Sequence, residues 1–337
     1  MQPLPSLHES TLEALKNSTN LLAFSGGGDS TALFFLLLEH NIAFDIAIVN
    51  YHTRAQSNEE VAYARTLAKK YHKHCFVYDC HLSLANFEHH ARKERYSFFE
   101  KLIHEHHYTT LLSAHHLNDK LEWFLMQLSR GAGLVEMIGM SEREQREDYV
   151  MVRPLLHISK ASLQHFLQMR NITYFHDESN DKTYYARNHI RAHYANAFID
   201  EFALGVSKSF EYLQNDALRL LPLQIVRIKN LFIITRHNDD LFNIRHIDKV
   251  LKQLGTLVSQ AQRDEILRTK ECVVGGVISV CFTDKSIFIA PYCHTVMTKA
   301  FKEACRNARI PSKIRPYMYQ ESIAPCEVLL LHSDHIL

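Results

Sequence analysis

Six consecutive residues, Ser25-Gly26-Gly27-Gly28-Asp29-Ser30, hold three of the chain's ten glycines. They follow a short apolar run from Asn20 to Ser25 and precede a helical pattern over residues 30 to 40, with Asp29 or Ser30 placed to cap that helix. Glycine lets backbone N–H groups approach an anion, the two serines add hydroxyl donors, and the helix N-terminus contributes partial positive charge. Phosphate binding is the chemistry such a turn supports. No Gly-Lys-Ser/Thr follows, so it is not a Walker loop, and its spacing is not GxGxxG. A tight strand–helix turn without a ligand is the plainer reading of the same residues.

A second cluster runs His115-His116-Leu117-Asn118-Asp119-Lys120-Leu121-Glu122. Asp119 and Glu122 are three apart, so they share one helical face near its start. Two carboxylates there could hold Mg²⁺ or an ammonium group, and His115 and His116 could donate to phosphate or move a proton. Dipole compensation alone would also favour acids in a first turn. Four more segments stand out: Arg130-Gly131-Ala132-Gly133 with Gly139-Met140, Arg153-Pro154-Leu155-Leu156, Asp177-Glu178-Ser179-Asn180, and Arg187-Asn188-His189-Ile190-Arg191. Each by itself could be a capped turn or a solvated face.

The elements that must position these residues alternate regularly. Strands are expected at 20–25, 44–50, 74–80 and 110–114, and helices at 30–40, 57–72, 86–107 and 117–129. Such alternation implies an α/β fold whose parallel sheet is covered on both faces, with ligands at the carboxyl ends of the strands. Residues 141–148 carry six charges and no apolar side chain, which suits a loop or hairpin tip. An extended segment resumes at Arg153, and Ser159 opens a helix to about Asn171. Residues 197–221 are helical and connect to a smaller α+β region. Its strands are expected at 224–228, 231–235, 277–282 and 286–290, with helices near 245–254 and 260–268. The expected domains are a catalytic domain at 1–195, a helical connector at 196–222 and an α+β domain at 223–337.

Composition narrows the function classes. Of 337 residues, 46% are hydrophobic and 22% charged, enough apolar material for a real core. Lys and Arg number 38 against 37 Asp and Glu, a net charge of +1. No long-range field draws the chain to nucleic acid, so any RNA contact must use a local patch. One candidate is 299–315, where Lys299, Lys302, Arg306, Arg309, Lys313 and Arg315 face Glu303 alone. The seven cysteines form no CxxC, which suits reduced thiols in the cytosol. The first residues lack the pattern of a signal peptide, and no apolar run is long enough to span a bilayer. The 23 histidines mostly lie singly in charged stretches and read as solvated surface. A cytoplasmic protein without membrane contact is expected.

The hexapeptide at 25–30 resembles the pyrophosphatase loop of the N-type ATP pyrophosphatases. The whole series from 25 to 191 resembles the tRNA(Ile)-lysidine synthase family, in which a phosphate loop, HHxxDxxE, RGxG…GM, RPLL, DxSN and RNxIR occur in this order. Ala91-Arg92-Lys93-Glu94-Arg95-Tyr96 and the segment Val49 to Ser57 resemble two further family segments. Tyr51 stands where members usually have His, Glu136 replaces a common glycine, and Lys182 stands where many have an acid.

The resemblance implies an adenine nucleotide alpha hydrolase-like fold in which Ser25, Gly26, Gly27, Gly28, Asp29 and Ser30 wrap the ATP phosphates. It implies that Asp29 and Glu122 hold Mg²⁺, and that Ile48, Asn50 and Ala114 line the adenine. It further implies that Arg95 and His115 meet developing phosphate charge, that Asp119 holds the lysine ammonium, and that Arg187 steadies the phosphate or departing AMP. The implied partners are L-lysine and an isoleucine tRNA with a CAU anticodon, gripped in part by residues 223–337. A homodimer is compatible with the sequence. A tRNA thiolase sharing the loop would need a close cysteine pair, and a non-catalytic tRNA-binding module would have no need of Asp29, Asp119, Glu122 and Arg187.

Overall fold

The computed structural model describes residues 4–53, 56–82, 87–175, 186–220 and 225–328. They form two compact units, 1–217 and 218–337.

The first unit opens with α1 (Glu9–Lys16), β1 (Asn20–Ala23), α2 (Gly28–Glu39), β2 (Phe44–Asn50), α3 (Gln56–Lys70), β3 (Cys75–Asp79), α4 (Phe87–His106), β4 (Thr110–Leu112) and α5 (Leu117–Leu128). It continues with α6 (Leu134–Ile138), β5 (Arg143–Gln145), β6 (Val150–Val152) and α7 (Lys160–Met169). The sheet order is β3-β2-β1-β4-β6-β5. Its first five strands are parallel, and β5 pairs antiparallel with β6. Side chains alternate strictly. Leu22, Ile46 and Leu112 enter one core with Leu33, Phe34 and Phe166, whereas Leu21, Ala47 and Leu111 enter another with Phe99, Leu102 and Ile103. A period of two on strands buried from both sides is why these runs are nearly all apolar.

β2 and β3 lie on one side of β1, and the chain then crosses back to place β4 on the other. The order therefore reverses between β1 and β4, the position where open α/β sheets form a crevice at their carboxyl edge. The glycine turn leaves β1 there and the His115-His116 segment leaves β4.

Beyond the segment 176–185, which contains the Asp177–Asn180 motif and Lys182 and lies outside the described residues, a helical run begins that is kinked at Phe202. It consists of α8 (Ala186–Ile190), a π-helical turn (Arg191–Ala195) and α9 (Asn196–Leu220). Its inner face, Ala195, Ile199, Val206 and Phe210, packs on Leu117 and Leu121 of α5.

The second unit is a five-stranded antiparallel sheet ordered β7 (Ile225–Ile228), β8 (Leu231–Thr235), β11 (Ser286–Pro291), β10 (Ile278–Phe282) and β9 (Glu271–Val274). Helices α10 (Asp240–Gln253) and α11 (Gln260–Thr269) share one core with it, and α12 (Lys299–Asn307) and α13 (Arg315–Gln320) another.

Three local differences from the sequence expectation have clear causes. Helix α2 starts at Gly28 with Gly27 as its cap, and neither Asp29 nor Ser30 caps it. Within the charged stretch 141–148, Arg143–Gln145 form a strand, because β5 needs only an open edge of the sheet to pair with and no apolar face. Strand β9 escapes the sequence pattern because it is an edge strand of four residues that begins with Glu271.

Candidate active site

The turn after β1 is built by its own small side chains. Ser30 Oγ donates to Gly27 O at 3.1 Å and lies 3.0 Å from Ser25 Oγ, while the Ser25 amide donates to Ser30 Oγ at 3.2 Å. These bonds fold the loop back on the helix start, yet no side chain caps the first amides of α2. The helix N-terminus is therefore left with donors for an anion. Gly26 adopts φ +76°, open to glycine at little cost, and its carbonyl accepts from Phe175 N at 3.0 Å. At Gly28 a Cβ would meet the Tyr174 ring at 3.2 Å. The loop is thus pinned from behind by Tyr174 and Phe175.

Across the crevice, His116 caps α5 through its backbone and sends its ring toward the loop. Its Nε2 is 3.5 Å from Asp29 Oδ2 and 3.4 Å from Asp119 Oδ2, and the Asp119 carboxylate accepts the His116 amide at 3.0 Å. Burial pushes the His116 pKa down, but Asp119 and Asp29 more than offset it, and the net shift is upward. Asp119 shows the complementary balance. Burial works against its charge, yet His116, His115, the amide bond and Arg191 hold its carboxyl at about 2. His115 turns away to Ser113 Oγ at 2.9 Å, and burial lowers it to about 4.

Glu122, 1% exposed, accepts from Arg187 Nε and from Arg191 Nε, the latter at 2.7 Å. The same two guanidiniums reach Asp119 Oδ1 at 3.9 and 3.6 Å. The one-face placement of Asp119 and Glu122 therefore holds, and its partner is an arginine pair from the α8 run. An α-helical i, i+4 spacing directs both arginines at α5, and the π-helical turn begins at the second of them.

The adenine candidates are arranged less uniformly. Ile48 is a buried core residue, so its backbone, not its side chain, is what could meet a base. β1 pairs with β2 only as far as Ala47, which leaves the edge of residues 48–50 beyond β1's reach. Asn50 is occupied, donating to Asn58 at 3.0 Å and accepting from the His52 amide at 3.1 Å. Ala114 is half-buried between Ser113 and His115. Arg95 is exposed on α4 and close enough to lower the pKa of Tyr51, although burial of that phenol raises it overall.

The sequence offers His115 and His116 alike as phosphate donors or proton movers, and it gives Arg191 no role of its own. His116, rather than His115, bridges Asp29 and Asp119, and its position at the cap with an acid three residues later is the signal that could have marked it. Arg191 joins Arg187 on Glu122, and its i+4 spacing from Arg187 was the corresponding signal.

As for the metal candidates, Asp29 lies at the mouth of the loop with its carboxylate partly exposed, and one carboxylate beside substrate phosphates suits Mg²⁺. Both Glu122 oxygens are engaged by arginine, so Glu122 fits a metal only if those guanidiniums turn away.

Arg153 and Gly139, from two of the other motifs, hold local structure in place. Arg153 is buried and donates to Ser141 O at 2.8 Å and to Glu144 Oε2 at 2.7 Å, fastening the β5–β6 hairpin. Gly139 has φ +62°, and a Cβ there would lie 2.2 Å from the Trp123 ring, whose Nε1 donates to Glu136 O at 2.8 Å.

Residues 5–197 match the PP-loop domain family. A tRNA(Ile)-lysidine synthase of Campylobacter jejuni strain RM1221 is 44% identical over 319 residues, 94% of this chain and 97% of that one. The tRNA(Ile)-lysidine synthase of Wolinella succinogenes is 45% identical over 314 residues, 92% of this chain and 96% of that one. Among solved structures, the U34-tRNA thiolase NcsA from Methanococcus maripaludis aligns with TM-score 0.48 and 16% identity, over 60% of this chain and 74% of that one.

Proposed function

Because this chain belongs to the PP-loop domain family and, within it, to the tRNA(Ile)-lysidine synthase family, we propose that it ligates lysine to C2 of the wobble cytidine of an isoleucine tRNA with anticodon CAU. The observation that carries this reading is identity of 44% and 45% across more than nine-tenths of the chain.

The reaction has two steps. Cytosine O2 attacks the α-phosphate of ATP and pyrophosphate leaves. The ε-amine of lysine then attacks C2 and expels AMP. Negative charge builds on phosphate oxygens in the first step, so donors fixed in advance lower the barrier. The uncapped amides of α2 and the hydroxyls of Ser25 and Ser30 supply them, with Arg95 and His115 as further donors. His115 is neutral at working pH and can donate only through one ring nitrogen. His116, whose pKa Asp119 and Asp29 raise against its burial, is the stronger candidate for meeting phosphate charge.

In the second step the lysine ammonium must first be held and then lose a proton. Asp119, ionised at all working pH values, is the residue proposed to hold it. Arg187 is 52% exposed and could swing from Glu122 to the phosphate of the departing AMP. Mg²⁺, held by Asp29 and by Glu122 once it is released by the arginines, would screen the triphosphate charge. Adenine is proposed to rest against the backbone of Ile48 to Asn50 and against Ala114. Residues 223–337 are proposed to grip the tRNA, with 1–195 catalytic and 196–222 connecting them. A cytoplasmic location belongs to this reading, and among the described residues no helix is long and apolar enough to cross a membrane.

The thiolase alternative gains nothing from the cysteines. Cys75 and Cys80 lie at opposite ends of β3, and burial raises both thiol pKa values, the reverse of what a sulfur carrier needs. Incubation with ATP, radiolabelled lysine and either the CAU isoleucine tRNA or methionine tRNA tests the proposal. Lysine transfer to the first tRNA alone is expected, and transfer to neither would overturn it. Asp29→Ala should abolish pyrophosphate release, and a variant that keeps full release refutes the role given to Asp29.

A further inference from the structure

Three residues from separate parts of the first unit converge outside the crevice. His8 caps α1, Glu142 lies just before β5, and His157 lies between β6 and α7. One ring nitrogen of each histidine and a Glu142 oxygen all lie within 4.8 Å of one another. His8 Nδ1 is 2.9 Å from Glu142 Oε2, and the two imidazoles stack with centroids 3.6 Å apart.

Outer partners already orient two of the three. The Thr11 hydroxyl donates to Glu142 Oε1, leaving Oε2 for another group. His157 Nε2 is 2.9 Å from the Ser6 carbonyl. A carbonyl only accepts, so Nε2 carries the proton and Nδ1 the lone pair. That Nδ1 is buried and has no hydrogen-bond partner. A backbone carbonyl fixing the tautomer of one histidine and a hydroxyl fixing the free oxygen of a carboxylate are the supports that metal ligands usually have. Burial also lowers the His157 pKa, which keeps the ring in its neutral, ligating form.

We propose that His8 Nδ1, Glu142 Oε2 and His157 Nδ1 form a zinc site that ties the start of α1 to the β5–β6 hairpin and to the segment before α7. Two imidazoles and a carboxylate are a donor set that Zn²⁺ accepts, with water as the fourth ligand. Stacked rings cannot both aim in-plane lone pairs at one ion. His8, whose side chain is half-exposed, therefore turns about its own side-chain bonds on binding, while Ser6 keeps His157 in place. In the metal-free form the hydrogen bond between His8 Nδ1 and Glu142 Oε2, in which the carboxylate accepts, holds the pair together. The proposal does not rest on the reaction assigned to the crevice.

The test uses the full chain stripped with chelator and titrated with zinc chloride by calorimetry, and with cobalt chloride by visible absorption. Because the 23 histidines offer other surface positions, the comparison with variants decides. One equivalent of micromolar or tighter binding is expected, with cobalt bands of low coordination number. His157→Ala and Glu142→Gln should each weaken it at least tenfold, while metal-free circular dichroism stays that of the parent. If His157→Ala fails to fold, the exposed His8→Ala gives the same reading. Absence of such an equivalent in the parent, or unchanged binding in the folded variants, overturns the proposal.

Discussion

Glu122 sits in the protein interior with a charge that two guanidiniums neutralise, and its surroundings make the cost of losing that charge asymmetric. Glu122→Gln preserves shape but leaves Arg187 and Arg191 facing an amide. Arg187 can turn to solvent, so most of the penalty falls on the more enclosed Arg191. Denaturant titration should show a loss of about 3 kcal/mol, and lysine transfer should fall at least tenfold. The adjacent histidines make a prediction of opposite signs. His115 is lowered from 6.5 to about 4, so folding favours its neutral form. The stability this gives is complete above pH 6.5 and is lost as pH falls towards 4. His116 is raised, so its contribution is complete below 6.5 and is lost as pH rises through its folded value. Stability measured against pH should thus lose slope between 6.5 and 4 in His115→Gln, whereas His116→Gln should flatten the profile on the alkaline side of 6.5. Unchanged profiles would contradict both assignments.

At the scale of elements, helix packing around α5 explains why motifs distant in sequence act together. The α8 run lays its arginines on the carboxylates of α5, and α6 ends in a glycine because Trp123 of α5 fills the space where a side chain would be. Gly139→Ala adds both a steric conflict and a left-handed backbone that alanine adopts poorly. A loss of about 2–4 kcal/mol is expected, and the fluorescence of Trp123, the chain's one tryptophan, should shift to the red as its packing loosens. Unchanged emission and stability would show that the segment can move aside.

For the whole molecule, a charge of +1 leaves RNA affinity to local patches. Within 299–315, Lys313 is 3.8 Å from Glu271, and the Arg315 guanidinium is spent on Ile310 O. Lys299, Lys302, Arg306 and Arg309 remain exposed on and just after α12. Replacing these four by glutamine should weaken tRNA binding and reduce the slope of log affinity against log salt by about 3. An unaltered slope would remove α12 from the interface.

Much of this protein could be read before any fold was known, because the decisive patterns are local. The alternation of buried strands and helices, the glycine turn and the i, i+3 carboxylate pair depend on residues within a few positions of one another, where backbone geometry alone dictates neighbours. β2 falls at 44–50 as its composition implies. What only tertiary structure decided is how far the His116 ring turns toward the loop, that the Arg187 and Arg191 pair lands on Glu122, that Arg153 serves a hairpin, and that His8, Glu142 and His157 meet at all. Those outcomes depend on the rotation of one helix against another and on a sheet order that brings positions 29, 119 and 191 together. No local spacing encodes such angles; packing of the α5 face against the α8 run sets them.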